Sequence, residues 1–225
     1  CTPLLIDTCG GFELVQQLHA VGYGLEDLEH VVLTHRHGDH IGGTMALLMR
    51  PGPWNFHGPD DALKAVTELA AATYPEWRLS NVAGFHTVTP ERIYDIGGFS
   101  VTFFEVEHRV PTVAVRVSHA ARVLAYSADS LPCDALIDCA RDADLFICDA
   151  LSSRSEGEAR LELTRQLMHP TAFEAGSMAA EARAKALALV HFGTSAEPEP
   201  MIADAAVAYS GPITAPSDGT GYRLE

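Results

Sequence analysis

Short apolar runs alternate with amphipathic stretches along the chain, and the two periods predict a succession of strands and helices. Thr2–Thr8 (TPLLIDT) reads as a buried strand stopped by Gly10 and Gly11, and Phe12–Tyr23 has the 3.6-residue apolar spacing of a helix. His30–His35 (HVVLTH) predicts a second buried strand, and GGTMALLMR a helix that begins at the Gly42–Gly43 pair. Further on, WNFHGP predicts a strand, DDALKAVTELAAATY a helix, and RIYDIGGFSVTFFEVEH two strands about a Gly-Gly turn. TVAVRVSHAARVLAYSAD alternates on both arms and predicts a hairpin turning between His119 and Arg122. DALIDCARDA and the Ala-rich TAFEAGSMAAEARAKA predict helices, while DLFICDA and LALVHFG predict buried strands. After these come a short helix, a strand and an exposed tail. No fixed-period repeat or low-complexity linker interrupts the pattern. Two groups of strands separated by helices point to two packed sheets with helices outside.

Size and charge narrow the function classes. With 225 residues, 47% of them hydrophobic and 20% charged, the chain can build one sizeable core, and residues 1–225 are expected to form one domain. A formal charge of -15 repels polyanions, so extended nucleic acid is disfavoured as a partner and a small anionic substrate is favoured. The five cysteines are odd in number and include no C-x-x-C pair, which points to a reducing cytoplasm rather than a disulfide scaffold. No apolar run approaches the ~20 residues of a membrane span, and a soluble cytoplasmic protein is expected.

Leu33–Gly43 (LTHRHGDHIGG) packs His35, His37, Asp39 and His40 into six residues where a strand gives way to a helix. Imidazole and carboxylate are the donors that zinc and similar divalent ions take, and such ions need several of them converging. His35 and His37 share a face if the segment is extended, whereas Asp39 and His40 at the helix corner can address a second ion. A solvated polar turn explains one histidine more simply than it explains four ligand-type residues in six. His108, Asp129 and His191 each close an apolar strand and precede a turn, so they are candidates to complete the coordination.

The series His35-x-His37-x-Asp39-His40, then His108, Asp129 and His191, resembles the ligand set of the metallo-β-lactamase-fold hydrolase superfamily, from LLIDTCGG to LVHFGT. The resemblance implies an α/β fold of αββα sandwich type holding two divalent ions, zinc first, with manganese or iron as alternatives. His35, His37 and His108 would hold one ion and Asp39, His40 and His191 the other, with Asp129 and a hydroxide bridging. Asp7 of LLIDT matches a family carboxylate that orients a ligand imidazole, although a strand-end cap would explain it too. Zinc β-lactamases of the most studied class have Cys where this chain has Asp129, which argues against antibiotic hydrolysis. The family's first sheet usually starts two or three strands before LLID, so a segment ahead of Cys1 is expected. Family members are often dimers, and a homodimer is compatible with that.

His169–Ala182 (HPTAFEAGSMAAEA) resembles the tRNA 3′-processing endonuclease, RNase Z, and related phosphodiesterases, in which such a histidine assists the leaving group. Those endonucleases insert a long tRNA-clamping arm between the residues matching His108 and Asp129, where this chain has only twenty residues. The short interval is more similar to small phosphodiesterases, such as the cyclic-phosphate phosphodiesterase of phosphonate degradation, although the Cys-rich zinc site of that enzyme has no counterpart here. The expected activity is therefore hydrolysis of a small phosphodiester or cyclic phosphate by a metal-bridging hydroxide, with Asp39 and His169 as catalytic residues. Thioester or lactone hydrolysis of the glyoxalase II type is the alternative, and a catalytically silent metal-binding module the third reading. Among the remaining residues, His57 and His86 are weak pocket candidates, and His19, His30 and His119 are expected at the surface or in turns. Arg36, Arg109 and Arg154 are speculative phosphate clamps. Asp149 either caps its strand or orients His169, with the cap favoured.

Overall fold

The computed structural model describes residues 1–50, 52–76, 79, 84–193 and 196–224. The chain divides into two compact units, Cys1–Ser100 and Val101–Glu225. Each is a layer of β-structure with helices packed on it, a mixed α/β architecture with two sheets. Among the described residues no helix is long and apolar enough to cross a membrane.

In the first unit, β1 (Leu4–Ile6), β2 (His30–Val32), β3 (Asn55–Gly58) and β4 (Gly84–Thr87) form a parallel sheet in sequence order. The register sets Leu5, Val31, Phe56 and Phe85 in one row. These residues pack with Leu14 of α1 (Glu13–Ala20), with Leu47, and with Leu63 and Val66 of α4 (Asp60–Thr73). Because the side-chain period of a strand is two, the neighbouring positions face the other way, and the same register places Val32, His57 and His86 side by side. The helix expected to begin at the Gly42–Gly43 pair does so, and one short helical turn lies before it. α2 (Gly38–Ile41) precedes α3 (Thr44–Leu48), so Asp39 and His40 lie on a helical turn rather than before it. Gly42 and Gly43 are needed at this corner for close approach: a Cβ on Gly42 would sit 2.5 Å from Gly10 O, and one on Gly43 would overlap Thr8 O. β5 (Ile93–Ile96) then leads into the Gly97–Gly98 turn, where both φ angles are positive.

The second unit carries β6 (Phe99–Val106), β7 (Thr112–His119), β8 (Arg122–Tyr126), β9 (Leu145–Asp149), β10 (Leu187–Val190) and β11 (Ile213–Thr214), in the order β11-β10-β9-β8-β7-β6. The predicted hairpin is β7–β8, antiparallel, and its turn residues Ala120 and Ala121 adopt φ of 47° and 64°. Strands β8 to β11 run parallel. Phe146, Cys148, Leu187 and Leu189 pack in one core with Leu136 of α5 (Asp134–Ala140), Met178 of α7 (Ala172–Glu181) and Met201 of α8 (Pro198–Ala205). Two elements were not expected from the sequence, β4 and α6 (Glu158–Leu167). Thr194 of the LVHFGT segment lies outside the described residues.

Candidate metal centre

In the first unit the ligand-type side chains grow from the carboxyl ends of β1 and β2, where parallel strands leave their terminal groups open to chemistry. Asp7 follows β1 in a left-handed conformation, φ 56°, which an Asp tolerates better than most residues. Its carboxylate is buried and accepts three hydrogen bonds. Thr34 N–H reaches Oδ1 at 2.8 Å, Thr34 Oγ1 reaches Oδ2 at 2.8 Å, and His40 Nδ1 donates to Oδ2 at 2.7 Å. The Thr34 hydroxyl proton is thereby committed to Asp7, so at 3.0 Å the hydroxyl oxygen accepts from His35 Nδ1. One carboxylate thus fixes two tautomers: in both His35 and His40 the proton is on Nδ1 and the lone pair on Nε2. This is the outer arrangement that metal-binding imidazoles need.

The inward geometry agrees with that donor chemistry. His35 Nε2 and His37 Nδ1 lie 3.0 Å apart, close to the ~3.3 Å between two nitrogens bound tetrahedrally to one zinc ion. The His35 and His40 rings stand 4.1 Å apart, and His40 Nε2 is 3.8 Å from Asp39 Oδ2. His35 and His40 are buried while the Asp39 carboxylate is exposed. The His40 carbonyl also accepts from Thr8 N at 2.7 Å and Thr8 Oγ1 at 2.8 Å, so the α2 corner is tied to the loop after β1. The first unit therefore presents a rigid set of nitrogen and oxygen donors suited to a divalent ion.

The second unit supplies another set. His108, just beyond β6, donates from Nδ1 to Met168 O at 3.3 Å, which leaves the lone pair on Nε2, 3.8 Å from Asp129 Oδ2. His191, after β10, places Nε2 3.7 Å from the same Asp129 oxygen. One carboxylate oxygen therefore lies nearly equidistant from two imidazole nitrogens. Backbone strain accompanies it: Ala128, before Asp129, has φ 53°, Met168, before His169, φ 64°, and His191 itself φ 64°. Left-handed non-glycine residues cost roughly 1–2 kcal/mol each, and such outliers gather at functional sites.

Asp149, at the end of β9, does more than cap its strand. Its Oδ2 accepts from His169 Nδ1 at 2.6 Å, and its Oδ1 stands 3.4 Å from His191 Nδ1. The His169 ring stacks on that of His191 at 5.0 Å and meets His108 edge-on at 5.3 Å. Asp129, Asp149, His169 and His191 bring ligand-type atoms within 4.8 Å of one another. His169 is held by the local sequence as well. It leaves α6 and enters α7 through Pro170 and Thr171, whose hydroxyl accepts from Glu174 N while Glu174 accepts from Thr171 N.

Other weak candidates find structural roles. Arg36 pairs with Asp61 at 3.0 Å and Glu68 at 3.6 Å. Arg109 bonds the Gln166 carbonyl, and Arg154 pairs with Asp204 at 2.6 Å and lies over the Phe173 ring. None of the three presents an uncommitted guanidinium for phosphate. His57 stacks on His86 at 4.8 Å, and its Nε2 meets His30 Nδ1 at 3.3 Å. Burial, then the neighbouring His86 and His30, lower its pKa to about 4. His30, expected at the surface or in a turn, is therefore a half-buried strand residue in this row.

Residues 2–192 match the family described as beta-lactamase superfamily domain. A ribonuclease Z of Kineococcus radiotolerans is 28% identical over 241 residues, covering 85% of this chain and 74% of that protein. The metallo-β-lactamase fold protein YhfI of Bacillus subtilis superposes with a TM-score of 0.81 at 24% identity, covering 96% of this chain and 85% of that one. A diphosphatase of the PhnP family superposes with a TM-score of 0.73 at 19% identity, covering 98% and 80%. With the match spanning most of its length and its fold shared with these structures, the chain belongs to the metallo-β-lactamase superfamily of metal-dependent hydrolases.

Proposed function

We propose that this protein is a dinuclear metal-dependent phosphodiesterase acting on a small phosphodiester or cyclic phosphate. By the resemblance to the family's ligand series, His35, His37 and His108 would hold one ion and Asp39, His40 and His191 the other, with Asp129 contributing to both. Zinc is the first expectation, because the donors are imidazole nitrogens and carboxylate oxygens, with manganese or iron as alternatives. Two bound ions supply Lewis acidity and a water of lowered pKa. Asp39, exposed at the head of α2, orients the attacking water and accepts its proton.

The observation that carries the choice of phosphodiester is the Asp149–His169 pair. Asp149 accepts a hydrogen bond from His169 Nδ1–H, so the ring works through Nε2, beside His191. An alkoxide leaving phosphorus is a strong base and needs a proton from such a group, as the alkoxide of a lactone does, whereas a thiolate leaving a thioester needs none, so the pair favours phosphodiester over thioester hydrolysis. The names of the ribonuclease Z and PhnP-family relatives support phosphorus chemistry. The plain β7–β8 hairpin between His108 and Asp129, with the charge of -15, supports a small substrate rather than an extended nucleic acid. A reducing cytoplasmic location is part of this reading, because the five cysteines are odd in number and form no C-x-x-C pair.

The test is a panel of phosphodiester, cyclic-phosphate, thioester and lactone substrates for wild type and His169→Ala, with metal content measured in parallel. Turnover of an alkyl phosphodiester should fall by roughly 10²–10⁴ in the variant at unchanged metal content. Turnover of carbonyl esters alone, insensitive to His169→Ala, would overturn the reading.

A further inference from the structure

A cavity of about 590 Å³ lies in the second unit beside His191. Its floor is Ile147, Ala188 and Val190, the residues of β9 and β10 that alternate with the helix-packed Phe146, Cys148, Leu187 and Leu189 and so face the other side of the sheet. His191 and Phe192, which continue β10, line it as well. The segment after β11 supplies the rest, through Ser217, Thr220 and Tyr222 among others.

That segment is shaped by its own bonds. Thr220 N–H donates to Ser217 O at 3.2 Å and Thr220 Oγ1 donates to the same oxygen at 2.7 Å. The turn they close has Gly219 at φ 78°, a conformation that favours glycine at the third position of a type II turn. The Tyr222 and Thr214 hydroxyls meet at 2.7 Å, which ties the ring back to β11. The cavity wall is therefore a defined surface.

Its chemistry restricts what it can hold. Among the described residues the lining contains no lysine or arginine, and its carboxylate is Asp218 at the rim. No cationic side chain among them recommends a phosphate or carboxylate. An apolar floor, two aromatic rings and a rim of hydroxyls suit an uncharged ring that carries hydroxyl groups, and the volume suits a small-molecule moiety. We propose that this cavity receives one ester substituent of the substrate, an uncharged hydroxyl-bearing ring, placed by its position beside His191. The assignment of that ring as a phosphate ester rests on the reading above; the cavity's preference for a neutral ring does not.

Two measurements separate these claims. Phenyl β-D-glucoside, a neutral hydroxylated ring, is titrated into the full chain by saturation-transfer NMR, with Tyr222→Ala removing one wall and Ala188→Leu filling the floor. Phenyl p-nitrophenyl phosphate and methyl p-nitrophenyl phosphate, which share a leaving group, are compared by kcat/KM. The glucoside should bind wild type and lose affinity in both variants, and the preference for the phenyl ester should fall roughly tenfold in Tyr222→Ala. Phosphodiester turnover without a phenyl preference, and glucoside binding absent or indifferent to both substitutions, would overturn the proposal and leave the reaction class standing. Variant-sensitive glucoside binding in a protein that hydrolyses only carbonyl esters would keep the cavity assignment and overturn the phosphodiester reading.

Discussion

Asp7→Asn perturbs both proposed metal positions through a single atom. In the wild-type chain Asp7 accepts from Thr34 N–H at Oδ1 and from Thr34 Oγ1 and His40 Nδ1 at Oδ2. The Asn side chain keeps the volume and tolerates the left-handed φ of 56°. Its oxygen must still accept from Thr34 N–H, so the NH₂ group replaces Oδ2. One proton then faces His40 Nδ1, which has to accept it and move its own proton to Nε2. The other faces Thr34 Oγ1, whose hydroxyl turns to His35 Nδ1, 3.0 Å away, and drives His35 into the same tautomer. Both rings then present N–H where a metal needs a lone pair. Loss of such an outer partner costs typically 10–100-fold in metal affinity, or about 1.4–2.7 kcal/mol per ion. Metal content by plasma mass spectrometry after dialysis against a graded series of metal buffers measures it directly, and far-UV circular dichroism checks the fold. A correctly folded Asp7→Asn protein that binds both ions as tightly as wild type would refute the tautomer argument.

Further outcomes follow from other parts of the structure. Stripping the protein with a chelator should abolish turnover and adding zinc should restore it; full activity after verified removal of metal would sink the metal-hydrolase assignment. Gly43→Ala should lower stability to urea by at least ~1–3 kcal/mol, since the new methyl meets the Thr8 carbonyl and backbone at this corner cannot easily yield. Replacing Ala120-Ala121 by Asn-Gly should raise stability by roughly 1–2 kcal/mol, because both residues hold positive φ in the β7–β8 turn; unchanged urea midpoints would count against it. The folded-state pKa of His57 lies at about 4, below its ordinary value of 6.5, so between these values the unfolded chain binds the extra proton. His57 therefore contributes stability above pH ~6.5 that is lost as pH falls toward 4, and His57→Gln should flatten that part of the stability profile.

The chemistry of LTHRHGDH was legible because its ligand-type residues are neighbours in the chain, and their density needs no tertiary contact to be seen. The strands ending near His108, Asp129 and His191 were legible too, since each buried strand is a compact apolar run. α6 was missed for the converse reason. It buries only Thr164, so the sequence EARLELTRQL carries little apolar periodicity to announce it. The glycine pair does mark a helix boundary, since α3 starts at Thr44 with Gly43 as its N-cap, and the same glycines allow the close approach of the corner to Thr8 and Gly10; the single turn α2 before them is too short for an apolar period to announce it.

The partners that make these residues more than a list depend on folding. Asp7 reaches Thr34 and His40 across 27 and 33 positions because β1 and β2 pair in parallel and end together. Asp149 reaches His169 across 20 positions, and its role as an orienting group rather than a strand cap is a matter of a 2.6 Å contact. Likewise, the cavity beside His191 joins residues of β9, β10 and the C-terminal segment that no spacing rule links. Local composition can declare which atoms are able to bind a metal, since that is a property of side-chain type. Which nitrogen carries the lone pair, and what lies next to it, is set by hydrogen bonds between distant segments, and these exist only once the sheets have formed.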